Sequence, residues 1–145
     1  MKRINDLLPK AMSVLRASNL LLEDGKSMLK EYDGYVAAFA PSVITAGLKA
    51  TLSFYTDVHK DKSDGATRRN HVLKVMYDIY NKIDNHLTGS SLLDIALNEH
   101  DNAKQRILKK DLIDISIALK LAMRNFEQVD KKPEPLPNNP TDIQP

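Results

Sequence analysis

Apolar residues recur at intervals of three and four positions along most of the chain, and this spacing is the feature that most restricts its fold. Such a period places apolar side chains on one face of an α-helix, whereas a half-buried strand would alternate apolar and polar positions. In the first segment the pattern predicts a long helix from about Asp6 to Lys30, with Asp6 as its N-cap. The apolar stripe of that helix consists of Ile4, Leu8, Ala11, Leu15, Leu22 and Leu29.

The same period continues in later segments, which are bounded by residues that start or stop helices. We expect a helical unit from Glu31 to about Tyr55 that is interrupted near Pro41, because proline removes a backbone donor and biases the preceding residue away from helical angles. Ser42 would cap the helix that follows. The other predicted helices span about 67–87, a short stretch capped by Ser90 or Ser91, and about 103–129. These segments predict an all-α fold, a compact bundle of about five or six helices.

A length of 145 residues suits one domain with its own core. We expect that helical bundle domain to cover 1–130, because 131–145 is rich in proline and has little to bury, which predicts a flexible, disordered tail. Cysteine is absent and the net charge is only +2. Disulfide staples and thiol catalysis are therefore excluded, and bulk electrostatics alone would not hold nucleic acid. No apolar run is long enough to cross a bilayer, and we expect a cytoplasmic protein.

The histidines are scattered and lack the spacing of a helical metal site. None has an acidic residue three positions before it, as paired helical ligands require. Arg69 and Asn70 match the start of the active-site signature of helical ribonucleases, but no histidine follows at the required position on that helix. We therefore expect no enzymatic activity, no metal and no cofactor. The four histidines are His59, His71, His86 and His100.

Basic residues on helices are the remaining functional candidates. On the last helix Lys109, Lys120 and Arg124 share one side, since eleven residues make almost three whole turns and four more make about one. They could hold phosphates, or they could form a solvated face with ordinary pairs to Asp111 or Asp114. A second candidate patch near the start of the preceding long helix comprises Arg68, Arg69 and Lys74.

The last helix also carries more apolar surface than one core face requires. A second strip lies beside its main stripe and consists of Ile113, Ile117 and Leu121. Surplus apolar surface of this kind predicts a contact with another subunit.

The run from Tyr35 to Phe54 resembles the small α-helical subunit of the Cmr complex, a type III-B CRISPR effector that uses guide RNA in antiviral defence. In that family a helix led by tyrosine reaches a proline, then a Gly-Leu pair, then a Thr-Leu-x-Phe stretch. The segment from Asp111 to Phe126 is also similar to the closing helix of the family. The matching residues of the first run are Tyr35, Pro41, Gly47, Leu48, Thr51, Leu52 and Phe54.

The resemblance implies a non-catalytic subunit that stacks with copies of itself, beside other Cmr subunits, and lines the channel for guide and target RNA. Such a role needs phosphate contacts, because base pairing with the guide supplies the specificity. The resemblance favours Lys109, Lys120 and Arg124 as RNA contacts and adds Lys49, beside the Gly-Leu pair. It implies packing roles, with Gly47 allowing close helix approach, for the set Gly47, Leu48, Thr51, Leu52 and Phe54.

The alternative hypothesis is a helical adaptor or antitoxin-like module that binds a protein and has no nucleic-acid role. It would use the strip Ile113, Ile117 and Leu121 against an apolar groove or helix of its partner. Binding through that strip should be nearly indifferent to ionic strength, whereas RNA contacts should weaken steeply as salt rises.

Overall fold

A computed structural model of the protein describes residues 2–56, 64–84 and 89–130, and these residues form six helices and two short strands. This architecture confirms the predicted all-α class and the number of helices. The helices are α1 Lys2–Arg16, α2 Lys30–Ala46, α3 Leu48–Thr56, α4 Asp64–Ile83, α5 Leu92–Asn98 and α6 Asn102–Met123. The strands are β1 Ser27–Leu29 and β2 Glu127–Val129. The proline-rich segment 131–145 that we predicted as a tail lies outside the described residues, as do His59 and His86.

Helix α6 packs against α1, α2 and α4 and so holds the bundle together. Its apolar face is completely buried at Leu112, Ile115 and Leu119. Burial of each such side chain contributes roughly 1.5–3 kcal/mol of hydrophobic free energy. The buried face of α1 differs in part from the predicted stripe, since Leu7 rather than Leu8 is buried. Its residues are Ile4, Leu7, Ala11, Val14 and Leu15.

The prediction of one long first helix from Asp6 to Lys30 is wrong at both ends, because α1 spans Lys2–Arg16 and Asp6 lies inside it rather than at its N-cap. The Ser18 hydroxyl donates to the carbonyl oxygen of Leu15 at 2.7 Å, and Gly25 adopts a positive φ of 68°. The Asp24 carboxylate accepts the backbone amides of Lys26 and Ser27 at 2.9 and 3.0 Å. These amide hydrogen bonds lower the pKa of Asp24. Side chains that bind the local backbone in this way compete with helix formation, and they produce a turn here.

The last helix is also shorter than predicted, since α6 ends at Met123 and is followed by β2. Strand β2 pairs in parallel with β1, with Met28 opposite Gln128. The Glu127 amide extends this pairing by donating to the Lys26 carbonyl oxygen at 3.0 Å. Parallel pairing between segments about a hundred positions apart leaves no local periodic signal. A local window of sequence therefore could not indicate that α6 ends early.

Pro41 does not interrupt the second helical unit, contrary to the prediction. It lies inside α2, where its neighbours Phe39 and Val43 are both completely buried. Burial on either side of the proline keeps the segment helical despite the missing backbone donor. The break falls instead at Gly47, whose φ of 95° and ψ of 160° belong to a region that is essentially restricted to glycine.

Helix α4 begins and ends about three to four positions earlier than predicted, at Asp64 and Ile83. The predicted cap of the short helix is confirmed, because Ser91 Oγ accepts the Asp94 amide at 3.2 Å. Asp101 caps α6 in the same way and accepts the Lys104 amide at 3.0 Å. Such caps satisfy amides that have no acceptor within the helix.

Candidate nucleic-acid interface

The basic residues predicted on α6 have different surroundings and do not form one free stripe. Lys120 Nζ lies 2.6 Å from the Asp33 carboxylate on α2, and the two side chains are 29% and 24% exposed. Lys109 and Arg124 are exposed. Lys120 therefore links two helices, through a partner that is neither Asp111 nor Asp114.

The second predicted patch is partly neutralised by ion pairs. Arg68 lies 2.5 Å from the Glu31 carboxylate, which also accepts the Tyr35 hydroxyl at 2.7 Å. Lys74 pairs with Asp78 one turn later on α4, at 2.9 Å. A positive charge that lies beside a carboxylate attracts a phosphate less strongly than an isolated positive charge does. As RNA contacts, Arg68 and Lys74 stay predictions that the geometry does not favour.

Arg69, the third member of that patch, stacks on aromatic rings. Its guanidinium carbon lies 4.3 Å from the centroid of the Phe54 ring and 5.8 Å from that of Tyr35. These distances are within the range of cation–π attraction. Arg69 thus joins α4 to α3 and α2 through ring faces.

The structure brings Lys49 and Lys109 together, although they are sixty positions apart in the sequence. Both line a groove of about 570 Å³ between the junction of α2 and α3, Ala96 of α5 and the first turns of α6. Arg106 is the third basic side chain of this groove, and all three residues are exposed. Within the described part of the chain, no acidic side chain lines the groove.

Local chemistry at the two helix starts shapes this basic groove, defined by Lys49, Arg106 and Lys109. Gly47 immediately precedes α3 and has no side chain to cap the first amides of that helix, which lack acceptors within it. On the opposite wall, the Gln105 amide group donates to the Glu99 carbonyl oxygen at 2.7 Å and ties the start of α6 to the end of α5. Leu48, Ala50 and Leu108 add apolar lining to the groove.

Sequence reasoning missed Arg106. The signal was present, because Arg106 lies three positions before Lys109 and residues at that spacing share a helix face. Our predicted stripe instead extended from Lys109 towards Lys120, which the fold uses in an ion pair with Asp33. Only the tertiary structure shows that the basic face of α6 meets the start of α3.

The predicted packing residues divide into buried and exposed positions. Thr51 and Leu52 are buried, at 3% and 0% exposure, and Leu48 is half-buried. Phe54 is 59% exposed, so it does not pack in the core, and its predicted packing role is wrong there. The next residue, Tyr55, takes the inward position on α3.

Gly47 also differs from its predicted role of allowing close helix approach. A Cβ atom built there would meet nothing within 4 Å. Its positive φ is what requires glycine, since side chains with a Cβ rarely adopt that backbone conformation.

Tyr55 anchors α3 from the inside. Its hydroxyl donates to the Tyr35 carbonyl oxygen at 2.6 Å, and its ring meets that of Phe39 nearly perpendicularly, with the centroids 5.7 Å apart. Burial raises the pKa of Tyr55 to about 12. The neutral hydroxyl is therefore a structural donor that holds α3, and with it the groove wall, on α2.

The surplus apolar strip of α6 is only partly open. Ile113 and Leu121 are half-buried against the core, whereas Ile117 is 38% exposed. Larger exposures occur at Ile107, at 59%, and at Leu97, at 49%. The apolar surface available for contacts thus differs from the strip that the sequence suggested.

In the described residues, no group of three or more histidine, aspartate or glutamate side chains is placed to hold a metal ion. His71 Nδ1 lies 3.2 Å from the Tyr32 hydroxyl, and Tyr32 is itself buried. None of the helices in the described ranges is both long and apolar enough to cross a bilayer. Comparisons with protein-family models, curated proteins and solved structures gave no match.

Proposed function

We propose that the protein is a non-catalytic, cytoplasmic small subunit of a type III-B CRISPR effector, the Cmr complex. In this role it stacks with copies of itself and other subunits and contacts the backbone of guide and target RNA. The observation that carries the proposal is the basic groove, where Lys49, Arg106 and Lys109 converge without a carboxylate. One wall of that groove, from Gly47 to Ala50, lies within the segment that resembles the family.

Phosphates are the ligand class that this groove suits best. Lysine and arginine attract phosphates without reading base edges, as a channel for variable target sequences requires. Three basic side chains neutralise few phosphates, so one copy should bind RNA weakly. Stacked copies would multiply these contacts along one RNA strand and raise the affinity of the assembly.

The exposed apolar residues support the assembly part of the proposal. Leu97 and Ile107 are sequence neighbours of groove residues on α5 and α6. Exposed apolar surface beside a candidate site is typical of protein contact sites. The same observation favours the second candidate, a helical protein-binding adaptor without a nucleic-acid role.

Salt dependence of RNA binding tests the proposal against this second candidate. Binding of the full chain to single-stranded RNA of mixed sequence would be followed by fluorescence anisotropy at several low salt concentrations. With three phosphate contacts, we expect a slope of about −2 for log K against log salt concentration. Two RNAs of unrelated sequence should bind equally, and both should stay intact on a denaturing gel. Absent or salt-independent RNA binding would favour the adaptor, and cleaved RNA would contradict a non-catalytic role.

A further inference from the structure

Phe54 presents an aromatic ring to solvent on the outer surface of the bundle. The side chain is 59% exposed, although it is large, apolar and next to the buried Tyr55. Arg69 covers one face of its ring, with the guanidinium carbon 4.3 Å from the ring centroid. The Tyr55 ring meets this ring only edge-on, with the centroids 6.1 Å apart, so more than half of the side chain stays available to a further group. A cation fixes the orientation of the ring from behind and brings positive charge to it.

The open ring lies on the same face of α3 as one wall of the basic groove. Lys49, Ala50, Ser53 and Phe54 are the exposed residues of the helix. Ala50 lines the groove, and Phe54 follows it by four positions, so the two are direct neighbours on the helix surface. A strand whose phosphates lie at Lys49 therefore passes the ring within roughly one and a half helical turns.

We propose that Phe54, supported by Arg69, is a stacking platform for one unpaired base of an RNA strand that is bound in the basic groove. This inference rests on the proposed function and adds a base contact to its phosphate contacts. Stacking on an aromatic face accepts any base, because every base has a π-face. It is therefore compatible with a variable target sequence.

An RNA base fits this surface better than an apolar protein segment does. Arg69 supplies positive charge directly behind the ring, and Lys49 supplies a second positive charge about one and a half turns earlier on α3. Exposed polar and small residues, Ser53 and Ala50, surround the ring on α3. An apolar partner would leave the Lys49 charge without a counter-charge, whereas a nucleotide supplies a π-face and a phosphate together.

The experiment compares two RNAs and three variants of the full chain at low salt. One RNA carries normal bases, and the other is an abasic ribose-phosphate strand of the same length. Phe54→Leu keeps the apolar volume and removes the aromatic face, and Phe54→Tyr keeps that face. Ile83→Ala is the matched control, because Ile83 is an exposed apolar residue that lines a different groove. Circular dichroism would check that the helical content of each variant is unchanged.

We expect Phe54→Leu to weaken binding of the normal RNA by about 5-fold to about 150-fold, the range that corresponds to loss of one base–aromatic stack. Binding of the abasic RNA should not change, and Phe54→Tyr and Ile83→Ala should bind both RNAs like the wild type. Quenching of a 2-aminopurine base by the wild type, and its loss in Phe54→Leu, would support stacking directly.

Two results would overturn the platform while leaving the proposed function intact. One is unchanged binding of the normal RNA by Phe54→Leu, and a change in self-association in the same variant would then assign Phe54 to a protein contact. The other is an equal loss of affinity for both RNAs, which would mean that Phe54 affects the fold and not a stacked base. If the wild type binds neither RNA, the proposed function itself fails, and the platform fails with it.

Discussion

Lys120 on α6 and Asp33 on α2 form an ion pair, with Nζ and Oδ2 2.6 Å apart. The other carboxylate oxygen of Asp33 lies 3.5 Å from the side-chain amide of Gln128 in β2. Asp33 therefore connects three elements that are distant in the sequence. The pair also occupies a lysine that the sequence had indicated as an RNA contact.

Lys120→Ala should lower the free energy of unfolding by about 1 kcal/mol, because it leaves the partly buried Asp33 carboxylate without its charged donor. Lys120→Glu should lower it further, since two carboxylates would then face each other. Denaturant unfolding followed by circular dichroism measures both changes. Lys104→Ala, at an exposed lysine of the same helix, should have almost no effect. If Lys104→Ala lowered the free energy of unfolding as much as Lys120→Ala, the ion pair would have no specific role.

Two glycine-to-alanine substitutions should have opposite effects on stability. Gly47→Ala should destabilise the protein by about 1–3 kcal/mol, because the φ of 95° strains any residue with a Cβ. Gly34 lies within α2 and has open space around it. Gly34→Ala should therefore stabilise the protein by about 0.5–1 kcal/mol. Thermal or denaturant unfolding of the two variants provides the measurement, and changes of the same sign would refute the argument.

The Tyr55 hydroxyl predicts a specific loss of stability at alkaline pH. Its pKa is raised from 10.0 to about 12, so the folded state favours the protonated form. That contribution is complete below pH 10 and disappears as the pH rises through about 12. Tyr55→Phe should cost about 1 kcal/mol at neutral pH, because the Tyr35 carbonyl loses its donor.

Unfolding curves of the wild type and Tyr55→Phe at a series of pH values would test this prediction. The difference in unfolding free energy should be constant up to about pH 10 and should shrink above it. A difference that stays constant to pH 12 would show that Tyr55 does not titrate as its burial requires.

Local sequence patterns predicted the helices but not where two of them end. Helical periodicity and caps such as Ser91 are local signals, and both were confirmed. The early end of α6 makes room for β2, which pairs with the distant β1, and no short window contains that pairing. The early end of α1 instead leads into a local turn around Asp24 and Gly25. The continuity of α2 through Pro41 depends on burial of Phe39 and Val43, which is likewise a tertiary effect.

The candidate site was predictable only in part, because its residues come from helices that meet only in the tertiary structure. Lys49 and Lys109 were identified from the sequence, but their proximity depends on how α3 meets α6. Arg106 could have been found from its helical spacing to Lys109. Helical spacing from Leu48 and Leu52 also indicated that Tyr55 turns inward, as it does, but the resemblance gave Phe54 a packing role.

Charge reversal in the basic groove tests the central claim most directly. The variant Lys49→Glu, Arg106→Glu, Lys109→Glu would be compared with Arg16→Glu, Lys26→Glu, Lys82→Glu, which changes the net charge equally at other exposed positions. We predict that the groove variant loses at least about tenfold in affinity for single-stranded RNA at low salt, and that the salt slope becomes shallower by about 2. The control variant should lose much less affinity for the RNA. Equal losses in the two variants, or no loss in the groove variant, would contradict the claim that RNA phosphates bind at Lys49, Arg106 and Lys109.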